Sequence, residues 1–318
     1  MTERQINRIL RRRFSVVCWV LLGYYLLLNI MVSLTAVTDI LRQLLWNTAV
    51  GSFLMDIDTD ALMNNGWGYM AAICVGTVIL HAWKGGDYWR QEVFAKEKKM
   101  TFLVLFCALS FCMGSQMLSV LWLTGLEMGM NHFGSSVMPI LETVSGSTAT
   151  FSMFLYSAFL APVSEELLFR GYVFRSLRPY GKRFAILGSA LLFGLFHGNL
   201  LQGPYAFLVG LILGYLACEY SIFWAIGLHI FNNLVLAEGL TRLTQNMPVE
   251  IAEGIHFALF GGFLVVSIGI LIAKRSAFRA YRLGEWMDRR CVKCFLTNGG
   301  FFVLAAVMLI NMAFMMVM

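Results

Sequence analysis

Charge is what this 318-residue sequence has least of. Asp, Glu, Lys and Arg make up 13% of it, about half of the roughly 25% usual in a soluble domain. Hydrophobic residues make up 59% and the mean hydropathy is +0.72. A water-soluble fold of this length has too little interior to hide that much apolar surface. The composition excludes a soluble globular enzyme and a disordered chain. Cysteine is sparse: Cys18, Cys74, Cys107, Cys112 and Cys218 lie in apolar runs, where a free thiol behaves as a small hydrophobe. Cys291 and Cys294 form a lone CxxC, and the second pair that a zinc ribbon requires does not follow. A secreted disulfide scaffold is therefore excluded too. Low-complexity tracts and internal repeats are missing, and only five prolines occur. What remains is an all-α, polytopic membrane bundle forming one membrane domain.

A membrane helix needs about 20 mainly apolar residues. Nine stretches are candidates, at roughly 14–37, 66–83, 101–125, 148–164, 184–199, 203–218, 221–237, 256–273 and 299–317. The fifth to seventh are short, and eight crossings result if one of them does not pass through. Arg11, Arg12 and Arg13 precede the first stretch, which is longer than the apolar part of a signal peptide, so it reads as an uncleaved anchor. With a cytoplasmic N-terminus, the inner segments 1–13, 84–100, 165–183, 219–220 and 274–298 collect 22 of the 24 lysines and arginines. Arg42 and Arg242 alone fall outside, as the positive-inside rule expects. The net charge of +6 is thus explained by inner loops, and no nucleic-acid partner is expected. The longest outer loop, 38–65, carries Asp39, Asp56, Asp58 and Asp60, and the basic stretch 274–298 suits a surface of anionic lipid.

Ionisable groups at membrane depth are costly and mark candidate sites. Three clusters stand out. Glu165, Glu166 and Arg170 lie in APVSEELLFRGY at the inner end of the fourth stretch, just after Pro162. His197 ends the fifth, in LLFGLFHGN, and His229, Asn232 and Asn233 lie in AIGLHIFNN of the seventh. Helix positions four apart share a face. Arg170 therefore pairs with Glu166, Phe193 lies one turn from His197, and Asn233 lies one turn from His229. Glu165 is turned away by about 100° and is left free for another partner. Each cluster alone has a plain structural reading, as a snorkelling helix end or a polar contact between helices. Their joint occurrence on three neighbouring stretches favours a functional cavity.

These residues reach a known pattern. Glu165–Glu166 with Arg170 matches an EExxxR motif, Phe193 to His197 an FxxxH motif, and His229 to Asn233 an HxxxN motif. Together they resemble the CPBP intramembrane protease family, which includes the type II CAAX prenyl endopeptidases and the bacterial Abi proteins. The resemblance covers roughly 148–237, a catalytic core flanked by N-terminal helices in 1–147 and C-terminal helices in 238–318. It implies a peptide hydrolase in which Glu165 and His197 activate water, His229 and Asn233 stabilise the oxyanion, and Glu166 and Arg170 brace the site. The chemistry of the residues agrees, since hydrolysis without Ser or Cys needs a base for water and donors for the oxyanion.

Two histidines and a glutamate also suit zinc. Yet no HExxH spacing is present and no obvious carboxylate orients either imidazole, so no metal or other cofactor is expected, with zinc as the alternative. The expected partners are membrane lipid and a peptide or membrane-associated protein substrate. Among relatives these range from prenylated tails to leader or pheromone-like peptides, and the expected location is the plasma membrane of a bacterium. The alternative function is a non-proteolytic membrane regulator or bacteriocin self-immunity protein.

Overall fold

The computed structural model describes residues 1–50, 62, 64–138, 141, 150–284 and 287–315, the side chains of 47–50 and 315 apart. Among them every regular element is helical. The long helices are α1 (Glu3–Val50), α2 (Trp67–Lys84), α3 (Phe102–His132), α4 (151–180), α5 (Lys182–Phe196), α6 (Gly203–Glu219), α7 (Ile222–Thr244) and α8 (Val249–Ala273). Two short basic helices, α9 (Arg275–Gly284) and α10 (Arg289–Leu296), lead into α11 (Gly299–Met315).

A helix occupies the described part of each of the nine apolar stretches. By length and composition four of them, α1, α3, α7 and α8, are able to cross a membrane. The α10–α11 pair, bent by 55°, makes a fifth if it acts as one broken span. The chain is an integral membrane protein, and among the described residues helix length and composition support four or five of the nine expected crossings. α5 and α6 are short, and α4 is broken into α- and π-helical pieces.

Three expected loops are structured differently. Segment 38–50 continues α1 as helix, while Asp56, Asp58 and Asp60 lie outside the described residues. The expected inner segment 165–183 is helical as far as Tyr180, because Leu168, Phe169, Tyr172, Val173, Phe174 and Leu177 are all buried there. Glu165 and Glu166 therefore sit mid-helix and not at a solvated helix end. The stretch 274–298 holds α9 and α10, and Cys291 and Cys294 of α10 are buried free thiols, with Cys294 Sγ reaching Asn7 Oδ1 at 3.8 Å.

Local chemistry sets the bounds of α4. Thr150 caps its start, the hydroxyl accepting Met153 N–H at 3.2 Å. Gly181 ends it at φ +118°, a conformation that favours glycine, and so turns the chain into α5. A π-helical stretch, Leu167–Phe174, displaces carbonyls from the regular ladder. Side chains meet them: Ser189 Oγ donates to Phe169 O at 3.0 Å and Tyr88 OH to Gly171 O at 2.7 Å.

α5 and α6 pack through small residues, which let helix backbones approach. A Cβ on Gly194 would lie 2.8 Å from the carbonyl oxygen of Gly203, and one on Gly210 would press on Ala190 and Phe193 at 3.2 Å. One apolar core joins α1, α4, α5, α10 and α11 around Phe14, Phe169, Phe184 and Phe295. A second joins α3, α6, α7 and α8 around Cys112, Leu213, Leu216 and Phe260. The candidate site lies where α4, α5 and α7 meet between them.

At the end of α6, Glu219 is almost fully buried and gathers Lys98, Lys182 at 3.0 Å and Tyr281 OH at 3.3 Å. Burial pushes its carboxyl up, but the hydrogen bonds and charges of Lys98 and Lys182 together outweigh burial and hold it at about 2. One carboxylate thus ties the loop after α2 to the start of α5 and to α9.

Candidate active site

Glu166 is fully buried on α4, and one turn on, Arg170 Nη1 donates to its Oε1 at 2.7 Å. Arg170 Nη2 donates to the carbonyl of Gly210 on α6 at 3.1 Å, and its guanidinium lies 4.5 Å from the centroid of the Phe193 ring. A charge at this depth is tolerable because a carboxylate, a carbonyl and a π face surround it. The same Glu166 Oε1 accepts from His229 Nδ1 of α7 at 2.9 Å. The other face of that imidazole, Nε2, lies 3.8 Å from Glu165 Oε2. His229 thus stands between two adjacent carboxylates from another helix. Glu166 carries Arg170 as well, while the Glu165 side chain keeps 26% of its exposure.

His197 caps the C-terminal end of α5, half-buried. Its Nδ1 lies 2.9 Å from the carbonyl of Phe193. A carbonyl only accepts, so Nδ1 carries the hydrogen and the neutral ring presents its lone pair at Nε2. Gly198, at φ +63°, turns the chain away, and its carbonyl accepts from Asn311 of α11 at 2.9 Å. Phe193 links the two histidines: its ring centroid is 4.8 Å from that of His197 and 5.8 Å from that of His229, edge-on to both.

Asn233 is placed by a defect in α4. Over Tyr156–Leu160 the helix is π, with Ala161 N–H bonded to Tyr156 O. The next carbonyl in that register, Ser157 O, would face the nitrogen of Pro162, which has no hydrogen. The vacant acceptor takes Asn233 Nδ2 from α7 at 2.9 Å. Asn232, its neighbour, donates Nδ2 to Asn233 Oδ1 at 3.1 Å.

Of the six residues read from sequence, Glu165, Glu166, Arg170 and His229 are joined by direct contacts. His197 joins them through Phe193 and makes no hydrogen bond to Glu165, and Asn233 joins them through α4. The sequence alone assigned no part to Ser157, to Gly210 or to Tyr205, whose hydroxyl from α6 donates to Asn232 Oδ1. Pro162 was the available signal for Ser157, while the other two are tertiary contacts with no local signature. The expected absence of a carboxylate near either imidazole is corrected for His229, which has two.

A zinc centre fits these residues poorly. Among the described residues no three of His, Cys, Asp and Glu converge as metal ligands. Glu166 is committed elsewhere, its Oε1 already taking Arg170 and His229 Nδ1.

A model of the family described as type II CAAX prenyl endopeptidase Rce1-like matches residues 147–235, which hold all six residues. No curated protein and no solved structure matches the chain. The buried acid–arginine pair, both histidines and the asparagine thus lie on a segment that matches the model of the Rce1-like, type II CAAX prenyl endopeptidase family, a family of peptide hydrolases.

Proposed function

We propose that the chain is an intramembrane endopeptidase of a bacterial plasma membrane, cleaving a membrane-associated, leader or pheromone-like peptide. The observation that carries this reading is the bracketing of His229: Glu166 at 2.9 Å on Nδ1, Glu165 at 3.8 Å on Nε2, and Arg170 holding only the first. Two adjacent acids are thereby given different work. Arg170 commits Glu166 to structure. Glu165, partly open and not held by Arg170, is the base.

Water attacks the peptide carbonyl carbon while Glu165 takes its proton, with the lone pair of His197 Nε2 holding the water's second hydrogen. The carbonyl oxygen becomes an oxyanion. Asn233 has two N–H bonds; Ser157 takes one, and the second is directed to the oxyanion. Because Glu166 accepts from His229 Nδ1, an oxyanion bond from Nε2 requires the doubly protonated ring. The C–N bond then breaks, the proton on Glu165 passes to the departing amine, and the carboxylic acid that remains gives up its proton through His197 Nε2 to solvent, leaving a carboxylate.

An internally quenched, farnesylated CAAX peptide is the first probe, followed by comparison of membrane peptides from cells carrying wild type or Glu165→Ala. Cleavage by wild type and none by a normally expressed Glu165→Ala supports the reading. Full biological function of that variant would instead favour the non-proteolytic regulator or immunity protein.

A further inference from the structure

Asn232 lies next to the oxyanion donor, yet nothing in the proposed reaction uses it. It is buried, at 6% exposure, within the π-helical stretch Phe231–Gly239 of α7. Adjacent side chains on a regular helix point apart, but here the two amides meet, Asn232 Nδ2 donating to Asn233 Oδ1 at 3.1 Å. At the far end, Asn232 Oδ1 receives the hydroxyl of Tyr205 from α6. From α3 it also receives Gln116 Nε2 at 3.4 Å and Cys112 Sγ at 3.5 Å. A hydroxyl, an amide and a thiol converge on one atom. That atom is best satisfied as the oxygen, so Asn232 turns its NH₂ toward Asn233.

We propose that Asn232 is a positioning residue that fixes the plane of the Asn233 amide, through a chain running from Tyr205 to Asn232 to Asn233 to the Ser157 carbonyl. The catalytic part of this inference rests on the endopeptidase reading. A single bond to Ser157 would leave the amide free to pivot about that contact. The second contact, on Oδ1, pins its other end and gives the remaining N–H one direction. Donation to Oδ1 also polarises the amide and strengthens its N–H as a donor. The partners come from α3 and α6, so the second apolar core sets the aim of a group in the reaction site.

The discriminating variant is Asn232→Asp. It keeps the size and the acceptor for Tyr205, Gln116 and Cys112, but presents Asn233 Oδ1 with an oxygen. On the farnesylated peptide, kcat falls roughly 10- to 100-fold with KM within about twofold, in line with loss of an oriented oxyanion donor. Activity relative to wild type recovers as pH falls, since the protonated carboxyl regains a hydrogen to donate. Tyr205→Phe loses less, in the same parameter. A packing role alone predicts an Asp variant close to wild type and a flat pH ratio, and that result overturns the proposal. Side-chain amide NMR of asparagine-labelled protein, assigned with Asn233→Ala, reads the orientation without activity. Asn233 amide signals that are unchanged in Asn232→Ala overturn the proposal at any activity. Signals that move in a protein that cleaves nothing uphold the positioning and overturn the endopeptidase reading.

Discussion

Glu165 and Glu166 are neighbours in sequence, but Glu166 is fully buried against Arg170 and His229 while Glu165 keeps 26% of its side-chain exposure. Glu166→Gln strands the guanidinium of Arg170 in the interior and weakens the hold on His229. Loss of one partner of a buried pair costs about 3–5 kcal/mol. A melting curve in detergent is expected to show Glu166→Gln and Arg170→Ala unfolding well below wild type, with Glu165→Gln close to it. The reverse order would exchange the two roles. The Glu166–Arg170 pair was legible from a four-residue spacing, since it lies within one helix. The bond from His229 was not, because nothing local in either helix records which of two adjacent acids a third helix will meet. Ser157 was legible in principle, as a carbonyl before a proline, but only once the π register is known.

At the scale of elements, hydropathy located a helix in each apolar stretch, because burial in lipid or protein selects the same residues. It misplaced the end of α4. Arg170 and Arg175 look like a solvated boundary in sequence, whereas Leu168, Phe169, Tyr172 and Phe174 carry the helix on through the core. The close approach of α5 and α6 depends on glycine. Gly194→Ala places a methyl 2.8 Å from the backbone oxygen of Gly203, and relief requires a shift of the helix that ends at His197. Overpacking of this kind costs typically about 1–3 kcal/mol. Gly194→Ala is expected to lower both the melting temperature and cleavage. Gly262→Ala on α8, with nothing beyond its own stretch of helix within 4 Å of the new methyl, is expected to leave both unchanged. Equal effects from the two would show that the α5–α6 contact does not position the site.

For the whole molecule, the distribution of basic residues gives an orientation that impermeant thiol labelling tests in a cysteine-free background. A cysteine at Arg42 or Arg242 is expected to react in intact cells, and one at Lys98 or Arg282 only after permeabilisation; the opposite pattern inverts the protein. The Glu219 knot joins segments far apart in the chain, and its carboxyl, held at about 2, lies below the about 4.3 of an unfolded glutamate. It contributes stability above the unfolded value, and that contribution is lost as pH falls toward 2. Glu219→Gln is expected to melt below wild type at neutral pH, with the gap closing on acidification; a gap independent of pH would remove charge from the explanation. The central claim, that a water activated by Glu165 cleaves a peptide, is tested most directly by single-turnover cleavage of the farnesylated peptide by purified wild type and Glu165→Gln, with both proteins shown folded by the same melting curve. The account predicts cleavage by wild type and a loss of at least about 100-fold in the variant, the low end expected for removing a catalytic base. A folded Glu165→Gln protein that cleaves at the wild-type rate would contradict it.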